Sequence, residues 1–121
     1  MKIIFNYRDP INAALVFRQY DTINLPIEVF FVDDVTGVET PFDFTGYDIL
    51  VQFRRMDGLL NKVLRSYVSP AEVAVIGNVL TLGVESFDTA EFLTYDIKIF
   101  NSTEQYRIVY GYAKVEKSTT V

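Results

Sequence analysis

The stretch at residues 47–54, YDILVQFR, constrains the fold of this chain more than any other. Positions 47, 49, 51 and 53 are all apolar, whereas positions 48, 52 and 54 are polar. A period of two is typical of an extended strand with one buried face. The turn pair Thr45-Gly46 precedes the stretch and Met56-Asp57-Gly58 follows it, so glycine can reverse the chain into a hairpin there. We therefore predict a central strand that returns through a hairpin.

Similar alternation recurs along the chain between turn residues. Pro26 cannot donate a ladder hydrogen bond, which favours a sheet edge or a bulge at that point. Gly77-Asn78 has the length and chemistry of a two-residue hairpin turn, and residues 33–37 have the composition of another turn. Further strands are predicted at residues 23–31, 60–68, 73–76, 79–82, 93–99 and 105–115.

Finer features of these strands can also be predicted. In the return strand the apolar residues Leu60, Leu64 and Val68 share even positions, which makes that face the buried one. In the last strand the apolar parity changes near Gly111, which indicates a β-bulge. Residues 84–92 lose the period of two, and Ser86 or Asp88 could cap a single helical turn before the chain extends again.

These elements add up to an all-β domain. We predict a single antiparallel β-sandwich of about seven or eight strands over residues 19–116, with a small closed barrel as the alternative. Residues 1–18 form an N-terminal arm that is either an extra strand or a short helix starting at Asp9-Pro10. Residues 117–121 are expected to fray as a C-terminal tail.

Composition excludes several classes of function. The sequence contains neither cysteine nor histidine, which removes disulfides, thiolate or imidazole metal sites, and Ser-His-Asp or Cys-His catalysis. We expect no cofactor. Net charge is −5 and the basic residues are scattered, so nucleic acid is not an expected partner. No apolar run is long enough for a membrane span or a secretory signal, so we expect no membrane contact and folding in a reducing cytoplasm.

The remaining reactive side chains have simpler explanations. Asp33, Asp34, Asp43 and Asp48 could supply a carboxylate pair for hydrolysis, but the first three lie at turns, where aspartate is favoured for local hydrogen bonding. The pair Arg54-Arg55 could bind an anion, although such a pair beside a hairpin is more often a solvated end. The sequence contains no spaced run of acidic residues like that of a calcium-binding loop, so we do not predict a metal site. We therefore expect no enzymatic activity.

Tyrosine is the one surplus, with eight tyrosines and no tryptophan. Tyr106, Tyr110 and Tyr112 lie in the last strand, and with Tyr95 they could form an aromatic platform for sugar or protein contact. Alternatively, Tyr106 and Tyr110 belong to the buried face with Ile108. Tyr112 follows the parity change and is the best candidate for an exposed aromatic side chain.

Four segments in order resemble a widespread group of tailed-bacteriophage virion proteins. They are Gln19-Tyr20-Asp21-Thr22-Ile23 with Leu25-Pro26, Asp43-Phe44-Thr45-Gly46-Tyr47 leading into Gln52-Phe53-Arg54, Thr94-Tyr95-Asp96-Ile97, and Tyr110-Gly111-Tyr112-Ala113-Lys114-Val115. The group includes the N-terminal domain of baseplate upper proteins, and the resemblance covers about residues 19–116. The chain departs from that pattern in having Gln19-Tyr20 where the group usually has glycine and Phe44 where it has leucine.

The resemblance implies an immunoglobulin-like β-sandwich without a catalytic role. It implies a structural component of the virion, at the tail, baseplate, neck or capsid surface, that docks onto other virion proteins in many symmetric copies. The alternative function is a carbohydrate-binding module that uses exposed tyrosines, which makes a glycan the second candidate partner. We expect the interface to include the apolar residues of the arm and the exposed tyrosine, namely Ile3, Ile4, Phe5, Tyr7, Leu15, Phe17 and Tyr112.

Overall fold

The computed structural model describes residues 1–6, 9–57 and 60–118, and these residues form eleven strands and no helix. The strands lie in two sheets that pack face to face. In chain order they are β1 (Lys2–Phe5), β2 (Ile11–Asn12), β3 (Leu15–Arg18), β4 (Ile23–Val32), β5 (Glu39–Pro41), β6 (Asp48–Asp57), β7 (Leu60–Val68), β8 (Val73–Ile76), β9 (Val79–Val84), β10 (Glu91–Phe100) and β11 (Gln105–Glu116).

The order of the strands within the sheets matches that of an immunoglobulin-like sandwich. One sheet runs β1-β4-β9-β8, with β5 also on β4, and the other runs β2-β11-β10-β6-β7, with β3 also on β11. If β4 is strand B, β8 and β9 are D and E, and β6, β10 and β11 are C, F and G, as in that fold. The predicted all-β sandwich is confirmed.

The N-terminal segment is part of both sheets. β1 pairs with β4 in parallel, and β2 and β3 pair with β11 in parallel, so each sheet is mixed rather than purely antiparallel. The chain therefore crosses from one sheet to the other between β1 and β2. These additional strands raise the strand number above the predicted seven or eight. The alternative prediction of a short helix beginning at Asp9-Pro10 is wrong, because Ile11 and Leu15 lie in strands.

The central strand is confirmed as the middle of the core. Ile49, Val51 and Phe53 of β6 have no exposed surface. The Phe53 ring lies 6.0 Å from that of Tyr95 and 5.7 Å from that of Phe87, measured between ring centroids. Such aromatic pairs contribute stability beyond their buried area, which makes this cluster the centre of the sandwich. The predicted reversal at Gly58 lies outside the described residues.

Several turns and edges are also as predicted. Gly77 has a φ of +61° in the β8–β9 hairpin, and Gly37 has a φ of +69° after Asp33. Pro26 lies where the β1–β4 ladder ends: β1 pairs from Glu28 onward, and the Met1 amino group donates to the Pro26 carbonyl oxygen at 3.0 Å. The ladder thus ends at the residue that has no N–H to donate. Of the predicted C-terminal tail, residues 119–121 lie outside the described residues, and the Ser118 N–H donates to the Gln19 side-chain oxygen at 3.2 Å.

Three finer predictions are wrong. The β11 bulge occurs at Ile108 rather than Gly111, because Ile108 and Val109 are both buried opposite Ile97. Among residues 62–68 of β7, Tyr67 is the buried one, whereas Leu64 is exposed. A second bulge leaves Leu64 without a partner residue on β6. Residues 85–90 contain no helical turn. In each case the packing of neighbouring strands overrides the local pattern.

Tyr20 has an unusual backbone conformation. Its φ is +70°, which lies in the left-handed region that residues other than glycine rarely adopt. The Tyr20 N–H donates to the Phe87 carbonyl oxygen at 2.8 Å, and the preceding Gln19 N–H donates to the Glu116 carbonyl oxygen at 2.8 Å. This turn thus joins β3 to β4 and is hydrogen-bonded to both Phe87 and Glu116.

Candidate functional site

The predicted interface residues of the arm lie mainly in the core of their own chain. Ile3, Phe5, Leu15 and Phe17 are each at most 8% exposed. They belong to strands that pair with β4 and β11, so in this arrangement they are not available to a partner. Ile4 is half-buried, and Tyr7 lies outside the described residues. Tyr112 is the member of the predicted set that is clearly exposed, at 66%.

Exposed apolar side chains occur on Val16 of the arm, at 62%, and also on the two edge strands opposite the arm. β7 ends the six-stranded sheet and β8 ends the other. Val63 and Leu64 of β7 and Ile76 of β8 are exposed. Arg65 does not project from this edge, because its guanidinium lies 4.0 Å from the centre of the Phe87 ring and donates to the Glu85 carbonyl oxygen at 2.6 Å. Val63 and Leu64 therefore form a short exposed apolar step on β7, between the charged residues Lys62 and Arg65.

The outer face of the six-stranded sheet carries a second candidate surface. Its side chains form three rows across β6, β10 and β11, set by the strand register. The rows are Arg54, Thr94 and Tyr112; then Gln52, Asp96 and Tyr110; then Leu50, Lys98 and Arg107. Tyr110 thus faces outward opposite Asp96, and its predicted place on the buried face is wrong. The Ile108 bulge moves it to the outer side.

Asp96 at the centre of these rows is buried although it lies on the outer face. The residue is 5% exposed. Its Oδ2 accepts a hydrogen bond from Arg54 Nη1 at 2.9 Å, and Lys98 Nζ lies 4.0 Å from the same oxygen. The other Arg54 terminal nitrogen donates to the Gln52 side-chain oxygen. Asp96 Oδ1 is buried and has no hydrogen-bond partner among the described residues.

Asp96 lines a cleft of about 350 Å³ on this outer face, which we call the Asp96 cleft. Its walls include Asn12 from β2, Thr94, Tyr110 and Tyr112. The Arg107 guanidinium lies 4.7 Å from the centre of the Tyr110 ring, so a cation already covers that ring. The Tyr112 ring is the one largely open to solvent. The cleft thus combines a carboxylate, hydroxyl and amide groups, and an exposed aromatic ring.

Tyr95 lies below the cleft and belongs to the core. Its hydroxyl donates to the Ala13 carbonyl oxygen at 2.5 Å, which ties the N-terminal segment to β10. Burial raises the pKa of Tyr95 to about 12. Tyr106 is half-buried against the core. The prediction of a platform formed by all four tyrosines is therefore wrong. Tyr110 and Tyr112 are the two that lie on the outer face.

The other carboxylates stabilise turns and ion pairs. Asp33 Oδ1 accepts hydrogen bonds from the N–H groups of Thr36 and Val35 at 3.0 and 2.8 Å, which lower the pKa of Asp33. Hydrogen bonds from the side chain and N–H of Thr45 lower the pKa of Asp43. The turn interpretation of Asp33 and Asp43 is confirmed.

The predicted basic pair at 54 and 55 is divided between two partners. Arg54 contacts Asp96, whereas Arg55 donates to both carboxylate oxygens of Glu91 at 2.6 and 2.5 Å. Across residues 1–6, 9–57 and 60–118 no three acidic side chains come together as a metal site. No described segment forms a helix long and apolar enough to cross a membrane.

The sequence pattern missed Asp96, and the reason is physical. The alternation in β10 places position 96 on the outer face, where an aspartate is ordinarily solvated and does not indicate a site. Its neighbours across the sheet are Gln52 and Tyr110, which lie on other strands, so the alternation within β10 does not reveal its burial. The exposed Ile76 did carry a signal, because residues 73–76 are all apolar on a strand too short to be fully covered.

Comparison with known proteins identifies no relative: no family model matches the sequence, and no curated protein matches it.

Proposed function

We propose that this protein is a non-enzymatic structural component of a bacteriophage virion that acts through protein–protein interfaces in a symmetric assembly. The observation that carries the proposal is the open apolar edge of β7, on a chain whose own core is complete. An unpaired strand edge offers backbone N–H and C=O groups to another strand. Val63 and Leu64 add exposed apolar side chains to this edge, between Lys62 and Arg65.

Two further observations support this role. The landmark segments that resemble phage virion proteins coincide with structural positions in the sandwich: the Thr45-Gly46 turn leads into β6, and Tyr20 has the left-handed backbone expected where that group has glycine. The sequence also lacks the histidine and cysteine that most catalytic centres use. In this proposal the protein folds in the host cytoplasm and is then incorporated into the virion, where its partners are copies of itself and other virion proteins.

Light scattering on the purified full chain tests the edge. We expect a defined oligomer at high protein concentration, and Val63→Lys combined with Leu64→Lys should convert it to a monomer by placing like charges along β7. Val35→Lys is the matched control, because Val35 is an exposed apolar residue in the turn between β4 and β5 and not on β7. A wild-type chain that stays monomeric up to about 1 mM contradicts self-association through the edge.

A sedimentation experiment tests the virion assignment separately. In a lysate of the phage that carries the gene, the protein should co-sediment with intact particles and remain with them after washing in high salt. Recovery only in the soluble fraction would refute a structural role in the particle.

A further inference from the structure

We infer that the Asp96 cleft is a binding site for a neutral sugar. The site goes beyond the proposed structural role and does not depend on it. The starting point is Asp96 Oδ1, a buried acceptor without a donor. Leaving a buried polar atom unpaired costs about 1–3 kcal/mol, and more for a charged group, so such atoms in native proteins usually have a partner from water or a ligand.

The local charges select the class of ligand. Arg54, Lys98 and Arg107 surround the single carboxylate of Asp96 on the three rows of the outer face. A cationic ligand would meet three positive groups, and an anionic group without a proton cannot donate a hydrogen bond to Oδ1, the atom that lacks a partner. A neutral hydroxyl avoids both costs and donates a hydrogen bond to the carboxylate, the kind of charge-assisted bond that is stronger than a neutral one.

The walls of the cleft match the rest of a sugar ring. The Thr94 hydroxyl and the Asn12 amide can each donate and accept hydrogen bonds, as the equatorial hydroxyls of a pyranose require. The exposed ring of Tyr112 offers an apolar surface for the C–H face of the sugar. The volume of about 350 Å³ is at the small end of ligand sites, which indicates one or two sugar units rather than a long chain.

Binding requires a small rearrangement of the site. Asp96 Oδ1 is buried, so a hydroxyl reaches it only when atoms around it shift. Tyr112 lies on the rim and is free to move, because its side chain is mostly exposed. A sugar that stacks on the Tyr112 ring then places a hydroxyl group within reach of Oδ1.

Saturation-transfer NMR on the full chain tests the site. The probes are glucose, galactose, mannose and N-acetylglucosamine, with their disaccharides, at concentrations up to about 10 mM. We expect at least one probe to bind, with its ring protons closest to the protein. Tyr112→Ala should weaken that binding by tenfold or more, and Asp96→Asn, which retains shape but removes the charged acceptor, should do the same.

Phe92→Ala is the matched control. Phe92 is as exposed as Tyr112 and lies on the same face, but it does not line the cleft. Its removal should leave the affinity within about twofold. If no probe binds, Oδ1 is paired with water only and the inference is wrong. Equal losses in the Phe92 and Tyr112 variants would also overturn it, because they would indicate a nonspecific aromatic surface. Neither result bears on oligomer formation through β7.

Discussion

Substitution of Gly111 by alanine should loosen the N-terminal segment from the rest of the sandwich. A Cβ atom on Gly111 would lie 2.4 Å from the Ala13 carbonyl oxygen and 3.0 Å from its carbonyl carbon. These are backbone atoms, so no side chain can rotate to make room. The Ala13 N–H also donates to the Tyr110 carbonyl oxygen at 2.9 Å, which fixes the segment directly against β11.

The expected cost follows from these distances. Ordinary van der Waals contact begins at 3.4 Å, so the oxygen must move by about 1 Å. Overpacking of a closed core costs about 1–3 kcal/mol. The same movement breaks the hydrogen bond from the Tyr95 hydroxyl to Ala13, which is worth about 1 kcal/mol. We therefore expect Gly111→Ala to lower the free energy of unfolding by about 2–4 kcal/mol.

Urea denaturation followed by circular dichroism measures this change. A loss of that size corresponds to a shift of the midpoint by about 1–2 M for a chain of this length. Gly83→Ala is the matched control, because nothing lies within 4 Å of its new methyl group. The control should be within about 0.5 kcal/mol of wild type or slightly more stable.

A double-mutant cycle shows whether the reasoning is correct in detail. Tyr95→Phe removes the hydrogen bond to Ala13 alone, so its effect and that of Gly111→Ala should be less than additive, by roughly 1 kcal/mol. Full additivity, or a Gly111→Ala protein as stable as wild type, would refute a clash with the N-terminal segment.

Three further predictions concern pH and backbone conformation. Because the neutral form of Tyr95 is favoured in the fold, the protein should lose stability as pH rises from 10 to about 12, by at most roughly 2–3 kcal/mol, and Tyr95→Phe should lack this loss in urea titrations at each pH. In an NMR titration, Asp33 and Asp43 should have pKa values below the ordinary value for aspartate. Their contribution to the stability of the fold is therefore present at neutral pH and is lost as pH falls through these lowered pKa values. Ordinary pKa values would contradict the turn hydrogen bonds. Tyr20→Gly should raise the free energy of unfolding by about 0.5–1 kcal/mol, because the cost of left-handed φ for tyrosine exceeds the entropy cost of glycine; a loss of stability would show that the Tyr20 side chain contributes to packing.

Sequence reasoning succeeded where one residue's position is set by its immediate neighbours. The alternation of Ile49, Val51 and Phe53 established the buried face of β6, and Gly77-Asn78 established its hairpin, because both signals are local. It failed at Tyr110, since the inward or outward direction there depends on a bulge two residues earlier in β11. The period of two cannot say where a register shift occurs.

The functional surfaces were harder to predict than the fold. Ile3 and Phe5 are apolar on alternate positions, a pattern that fits either a core strand or an exposed docking strand. What decides between them is the parallel pairing with β4, which lies more than twenty residues later. Likewise the isolation of Asp96 Oδ1 depends on side chains from three strands. Such sites depend on tertiary contacts, which a one-dimensional pattern does not contain.

The pairing of β3 with β11 also affects how the protein is made. Residues 15–18 pair with residues 113–116, so a nascent chain on the ribosome exposes the apolar side chains of β3 until almost all of the sandwich has been synthesised. Contacts between residues so distant in sequence slow folding and prolong exposure of aggregation-prone intermediates. Chaperone demand during synthesis should therefore be high for this protein relative to its size, and translation stalled before residue 113 should yield a species that aggregates.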